Sequence, residues 1–293
     1  VVIGAGVIGM EYASMVNIVP NCQVTVIDSR DEVLPFCDSE LTQSLKKIMR
    51  GHGARFLLGE QVEGVEELGS GKMQVHLASG KRVPADCVLY AQGRQVNTAS
   101  LNLDVLNEGK GLELGNRGMI KVNEFYQTSV PHIYAAGDVI GFPALASTAM
   151  EQGRLVSCHM AGASIKTRMS GFPYGIYTIP EMGMVGRTEQ ELTQDSVPYE
   201  CGVAHYDELA KGQMQGGQTG LLKLLFHPDT RRLLGVHCLG PGATESVHIG
   251  QLAMDMDRSI EYFIESVFNY PTFAEAYRDA AFNGLTRVRQ YTD

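Results

Sequence analysis

The sequence has no two cysteines at Cys-x-x-Cys spacing, no cluster of lysine and arginine, and no apolar run long enough to span a bilayer. Each absence excludes something. The six cysteines are Cys22, Cys37, Cys87, Cys158, Cys201 and Cys238, and no histidine pair accompanies them at zinc-ligand spacing. Neither a redox dithiol nor a metal site is therefore expected in this chain. Most of these thiols sit in apolar runs, where a reduced cysteine acts as a small hydrophobe, and a reduced, cytoplasmic setting is the expectation. A formal charge of −9 without a basic stripe argues against nucleic acid as a partner. No signal-peptide pattern opens the chain, and neither a membrane span nor an internal repeat is expected. What is abundant is glycine, 33 of 293 residues, within a composition that is 44% hydrophobic. That suits an α/β protein of roughly two ordinary domains.

The glycines begin at once. Val1-Val2-Ile3 reads as the end of a buried parallel strand, and Gly4-Ala5-Gly6-Val7-Ile8-Gly9 leads from it into a helical run, Met10 to Val16. In this Gly-x-Gly-x-x-Gly pattern Gly4 permits the tight turn, Gly6 lets backbone approach a pyrophosphate, and Gly9 lets the helix lie on the strand. The helix N-terminus offers unpaired N–H groups and a favourable dipole to phosphate. A second apolar run, Val24 to Ile27, ends in Asp28, nineteen positions after Gly9, which suits a ribose-binding acid. A ligand-free strand–turn–helix is the bland alternative, and the paired signals favour dinucleotide binding. Neighbours normally cover both faces of such a strand, so the chain is expected to be part of something longer.

Three segments follow from periodicity and turn residues. Residues 1–98 read as one α/β unit, with a helix from Asp38 to Arg50 and strands at Ala54 to Leu58, around Gly64 to Glu66, and at Met73 to Leu77. Cys87 to Ala91 reads there as a buried run. Residues 99–168 carry a short strand, Thr128 to Ala136, ending in Gly137-Asp138, then a helix from Leu145 to Met160. Asp138 could bind a hydroxyl-rich ligand or cap that helix. Residues 169–293 show strands at Gly220 to Phe226 and Leu233 to Leu239, then helices at Glu245 to Met256 and Phe273 to Arg287, an α+β pattern.

Quoted in order, Gly4 to Glu11, Ala91-Gln92-Gly93-Arg94, Tyr134 to Asp138, Ile179-Pro180-Glu181 with Val185 to Glu189, and Tyr270-Pro271-Thr272 with Glu275 span nearly the whole chain. Together they resemble the flavoprotein disulfide reductase superfamily, which includes glutathione reductase and dihydrolipoamide dehydrogenase. Tyr177 to Glu181 and Phe268 to Arg278 look most like its soluble transhydrogenase branch. The resemblance implies an α/β Rossmann-type NAD(P)-binding domain over 1–98, a return segment of a FAD-binding domain over 99–168, and an α+β dimerisation domain over 169–293. It implies FAD, NAD and NADP as cofactors and a second copy of the chain as partner. The activity implied is hydride transfer between NADPH and NAD through flavin.

Carried over residue by residue, the resemblance places Gly4, Ala5, Gly6, Val7, Ile8, Gly9, Glu11, Asp28, Ser29, Arg30, Val62, Gly93 and Arg94 at the nicotinamide dinucleotide. It places Gly137, Asp138, Ala144, Leu145, Ala146 and Ser147 at the flavin. Glu11 is alternatively an acid that favours the helix dipole, and Arg30 alternatively a solvated loop charge. The first flavin fingerprint, and any redox cysteine pair, would precede Val1, so this portion alone is expected to hold FAD poorly. Disulfide reductases of this kind carry histidine where Tyr270 stands, held by the acid matching Glu275. Tyrosine, of ordinary pKa about 10, is a poor proton shuttle for thiols. Tyr270 is either a packing residue at the interface between copies or a catalytic one, and its presence disfavours a dithiol substrate. Two other readings stay open: a dihydrolipoamide-dehydrogenase-like disulfide reductase, and a non-catalytic dinucleotide-binding and dimerisation module.

Overall fold

Val2–Ile3 (β1) is short but central, with both side chains buried. In this computed structural model, which describes residues 1–109, 111–163, 171–216 and 219–289, β1 leads into helix α1 (Val7–Asn17) and strand β2 (Thr25–Asp28). Helix α2 (Ser39–Gly51) and strand β3 (Arg55–Leu58) follow, then an antiparallel meander of β4 (Val62–Leu68), β5 (Lys72–Leu77) and β6 (Arg82–Ala85), and finally β7 (Leu89–Tyr90). The parallel sheet runs β3-β2-β1-β7. Strand order reverses at β1, and in such sheets ligands sit beyond the carboxyl end of the strand at that switch. Val75 and Leu77 of the meander cover Ile3 and Ile27 on one side of the sheet. On the other, Met10 and Ala13 of α1 pack with Leu41, Leu45 and Met49, the apolar stripe of α2. The run from Cys87 to Ala91 is not buried as expected. β7 lies at the sheet edge, Cys87 is exposed and Tyr90 is 70% exposed.

The chain divides into two compact units, Val1–Gln92 with Gly171–Asp293, and Gly93–Ser170. The second unit has a small core of Leu112, Ile120, Val130 and Ala135. Its helices are α3 (Leu106–Gly109) and α4 (Ala146–Met160). The strand expected over Thr128 to Ala136 reduces to one bridge, Gln127 with Tyr134. The reason is local. Thr128 Oγ1 bonds the carbonyls of Val130 and Ile133, and the Ile133 N–H donates to Val130, so the stretch folds back on itself around Pro131. The segment boundary expected at 168–169 lies outside the described residues.

The rest of the first unit is β8 (Tyr174–Ile176), β9 (Met182–Gly186), α5 (Glu189–Gln194), β10 (Glu200–His205), α6 (Ala210–Met214), β11 (Leu221–Phe226) and β12 (Leu233–Leu239). Helices α7 (Ala243–Asp255), α8 (Glu261–Glu265) and α9 (Ala276–Arg289) complete it. The strands form one antiparallel sheet, β10-β11-β12-β9-β8. Periodicity points to β11 and β12 alone, because β8, β9 and β10 are each interrupted by glycine and β8 and β9 are short. Helices α7 and α9 pack on Val236, Leu222 and Leu224. Ile176, Met182, Leu221 and Leu239 instead join the core that holds α1 and α2. Among the described residues no helix is long and apolar enough to cross a membrane.

Candidate nucleotide site

The turn after β1 is built by backbone. Gly4 adopts φ +110°, donates its N–H to Ile27 at 2.8 Å, and lies so close to the Ala91 carbonyl that a Cβ would overlap it. A Cβ on Gly9 would overlap the Gly4 carbonyl oxygen, so this glycine sets how closely α1 approaches β1. Gly6 differs. Open space stands where its Cβ would be, and it N-caps α1 with no side chain to satisfy the first-turn amides. An anion approaching that opening meets backbone N–H groups and the positive end of the helix dipole. Val7 and Ile8 form the first turn beside it. This is the cradle a dinucleotide pyrophosphate requires, and the residues fit it.

Asp28 ends β2 beside that cradle and is buried. Its Oδ2 accepts the Ala5 N–H at 2.6 Å, which ties this acid directly to the glycine turn. The Arg30 guanidinium lies against the same carboxylate, with Nε on Oδ1 at 2.9 Å and Nη2 on Oδ2 at 2.8 Å. The Arg30 backbone N–H adds a bond to Oδ1 at 2.8 Å. Burial opposes ionisation of Asp28, yet the Arg30 side chain and the amides of Ala5 and Arg30 hold it below its ordinary carboxylate value. Arg30 is thus not a free loop charge. Ser29 between them is exposed. Val62 begins β4 and packs against the Ile3 and Ile27 cluster.

Glu11 lies one residue beyond the first turn of α1, and its Oε1 accepts the Tyr177 N–H at 2.9 Å. One turn on, Ser14 Oγ accepts the Ile179 N–H at 3.0 Å. The helix of the glycine turn is therefore stitched to the segment between β8 and β9.

The second unit gathers the other expected residues. Arg94 Nη1 meets Asp138 Oδ2 at 3.1 Å, and both side chains are largely exposed. Asp138 lies within a 3-10 turn, Gly137–Ile140, and does not cap α4. Leu145 takes the cap position, its N–H held by Thr148 Oγ1 at 3.3 Å. Ala144 before it has φ +51°, with Ala146 and Ser147 opening the helix. The Gly137 N–H donates to Gln152 at 2.7 Å. A Cβ on Gly93, φ +114°, would come within 3.0 Å of the Arg117 guanidinium. An exposed carboxylate beside a helix start fits the hydroxyl chain of a flavin cofactor in part.

In the first unit Tyr270 is 69% exposed, so it is not packed within this chain. Glu275 Oε2 accepts the Thr272 N–H at 3.1 Å as half of a capping box before α9.

Periodicity missed one cluster. Lys223, midway along the apolar run of β11, is fully buried and bonded to Asp38, Glu40 and Glu189. Those carboxylate oxygens lie within 4.8 Å of one another, and the cation they share is the Lys223 ammonium. His237, opposite Lys223 on β12, is also buried. A lone lysine among five apolar residues was the available signal.

The parallel sheet, its glycine turn and the acid at the end of β2 are those of the dinucleotide-binding α/β class. Residues 1–153 match the family model described as pyridine nucleotide-disulphide oxidoreductase, residues 172–281 match the dimerisation domain of the same name, and the chain belongs to this family. It is 50% identical over 289 residues to the soluble pyridine nucleotide transhydrogenase of Mycobacterium tuberculosis (strain ATCC 25177 / H37Ra), covering 99% of this chain and 60% of that protein. The enzyme of the same name from Serratia proteamaculans is 49% identical over 292 residues, covering 98% and 62%. Among solved structures, the HOCl-induced flavoprotein disulfide reductase RclA from Escherichia coli superposes with a TM-score of 0.87 at 25% identity, covering 96% of this chain and 63% of that one. LpdA from Mycobacterium tuberculosis superposes with a TM-score of 0.85 at 26% identity, covering 96% and 60%. The chain thus spans about 60% of the length of the curated relatives it matches.

Proposed function

We propose that this chain supplies the nicotinamide-dinucleotide site and the self-association lobe of a cytoplasmic, FAD-dependent soluble transhydrogenase that passes hydride between NADPH and NAD. The observation that carries the reading is the joining of the glycine cradle to Asp28 through the Ala5 N–H, in a chain half identical to enzymes of that name. In this reading residues 1–98 bind NAD(P), 99–168 belong with a FAD-binding domain, and 169–293 pair with a second copy.

The residues divide the task. Gly6 and the first turn of α1, Val7 and Ile8, would take the pyrophosphate, with Gly4 and Gly9 holding the turn closed beneath it. Asp28 would accept ribose hydroxyls, with Ser29, Arg30 and Val62 around the adenosine end. Glu11 would orient the nicotinamide ribose, with Gly93 and Arg94 serving the dinucleotide. Gly137, Asp138 and Ala144 to Ser147 would hold part of FAD, which when bound supplies the two-electron carrier between the nicotinamides. Hydride exchange of this kind needs no thiol acid–base partner, and Tyr270 in place of a histidine agrees with that. Tyr270 and Glu275 stand as the candidate catalytic pair only if a proton must be managed there.

The test is hydride transfer from NADPH to a thio-analogue of NAD by the full-length, FAD-loaded protein. Transfer at flavin-dependent rates is expected. Reduction of lipoamide without such transfer would overturn the proposal in favour of a disulfide reductase, and neither activity would leave a binding and dimerisation module.

A further inference from the structure

The Asp28 carboxylate is saturated. An ionised carboxylate has about four lone-pair sites. Four donors already point at Asp28: the N–H groups of Ala5 and Arg30, and the Nε and Nη2 of Arg30. A ribose cannot be received there until a donor leaves. The two backbone donors are fixed by the turn. The Arg30 side chain is 48% exposed, against 7% for Asp28, so the guanidinium is the part that solvent and ligand can draw away.

We propose that Arg30 selects between the two dinucleotides by its position: withdrawn from Asp28 it admits NAD, and in place on Asp28 it receives NADP. This rests on the dinucleotide reading of the glycine cradle. Withdrawal frees two acceptor sites, one on each carboxylate oxygen, matching in number the two hydroxyl donors of an NAD adenosine ribose. The bonds from Ala5 and the Arg30 backbone remain and keep the carboxylate aimed. NADP replaces one of those hydroxyls with a phosphate, which a bare Asp28 would repel. With Arg30 in place that repulsion is offset. The guanidinium spends its Nε and Nη2 edge on Asp28, and of its five donors the Nη1 end is left to meet the phosphate. One side chain in two positions gives one site two specificities.

The prediction has opposite signs for the two ligands, which a merely supporting role would not produce. Dissociation constants for NAD and NADP are measured by calorimetry on the full-length protein and on R30A. The R30A substitution should tighten NAD several-fold and weaken NADP by roughly tenfold or more, the scale of a lost charge-assisted fork. R30K, which keeps the charge but loses the fork, should fall between for NADP. Thermal midpoints establish that each variant is folded, and R30Q substitutes for R30A if that protein is not. Parallel weakening of both ligands, or no change in either, overturns the proposal while leaving the dinucleotide site standing. Failure of the unaltered protein to bind either dinucleotide overturns the site and the proposal together.

Discussion

Lys223, halfway along β11, meets Asp38 at the start of α2 at 2.9 Å, and neither side chain reaches solvent. Asp38 also accepts the N–H groups of Glu40 and Glu189, so one carboxylate caps α2, touches α5 and neutralises a strand lysine. Burial works against both charges. Interactions with Asp38, Glu189 and Glu40 nonetheless hold Lys223 well above its ordinary value. Removing the lysine leaves a buried acid without its counter-charge. K223M is therefore expected to cost about 3–5 kcal/mol in urea unfolding. A loss below about 1 kcal/mol would mean that water reaches the cluster.

His237 predicts a pH dependence. Its Nε2 bonds to the Arg187 carbonyl at 2.9 Å, and its Nδ1 has no partner among the described residues. Burial pushes the imidazole below its usual 6.5. Asp38, the Arg187 carbonyl and Glu191 favour the charged ring, Lys223 opposes it, and burial prevails. The unfolded chain therefore takes up this proton at higher pH than the folded one. The stabilisation is full above about pH 6.5 and is lost as pH falls through the lower folded value. Urea midpoints should drop between about pH 7.5 and about pH 5, and H237L should flatten that part of the curve. An unchanged slope in the variant would assign the effect elsewhere.

Gly6 and Gly9 separate binding from folding. A Cβ on Gly6 meets nothing within 4 Å, whereas one on Gly9 collides with the Gly4 carbonyl. G6A should keep the thermal midpoint and lose dinucleotide affinity by about tenfold or more, because the methyl stands where a pyrophosphate approaches. G9A should lose about 1–3 kcal/mol of stability from overpacking between α1 and β1. Equal affinity in G6A and the unaltered protein would remove the cradle from the binding site.

Tyr277 anchors α9 to α7. Its hydroxyl donates to the Ser246 carbonyl at 2.8 Å and accepts the Gly250 N–H at 3.0 Å, in a position closed to solvent. Y277F keeps the ring and deletes both bonds. A loss of about 1–3 kcal/mol is expected in chemical denaturation, with no change in dinucleotide affinity.

The parts of the molecule legible in the sequence are those fixed by neighbours along the chain. The glycine turn, the Asp28 position and the apolar stripe of α2 follow from spacing alone. So do β11 and β12, whose apolar runs are long enough to identify. The partner of Lys223 is Asp38, 185 residues away, and no local pattern could announce it. Arg30 beside Asp28 could be seen, but whether it solvates or clamps depends on a rotamer. The stretch from Thr128 to Ala136 misled because its β-branched and apolar residues suit a strand, while Thr128 bonds back across Pro131. Glu11 was legible as an acid near the fingerprint, but its bond to the Tyr177 amide spans 166 residues.

The core that joins Val2, Ala5 and Met10 to Ile176, Leu221 and Leu239 also orders events in time. A ribosome adds roughly 5–20 residues per second, so the glycine turn emerges on the order of ten seconds before the strands that cover its helices. For that interval α1 and α2 rest on the parallel sheet alone, and the part of their core that Ile176, Met182, Leu221 and Leu239 complete stays uncovered. Ending the chain after Gln92 would make the interval permanent, and a nucleotide half released alone would meet the cell with its seam open.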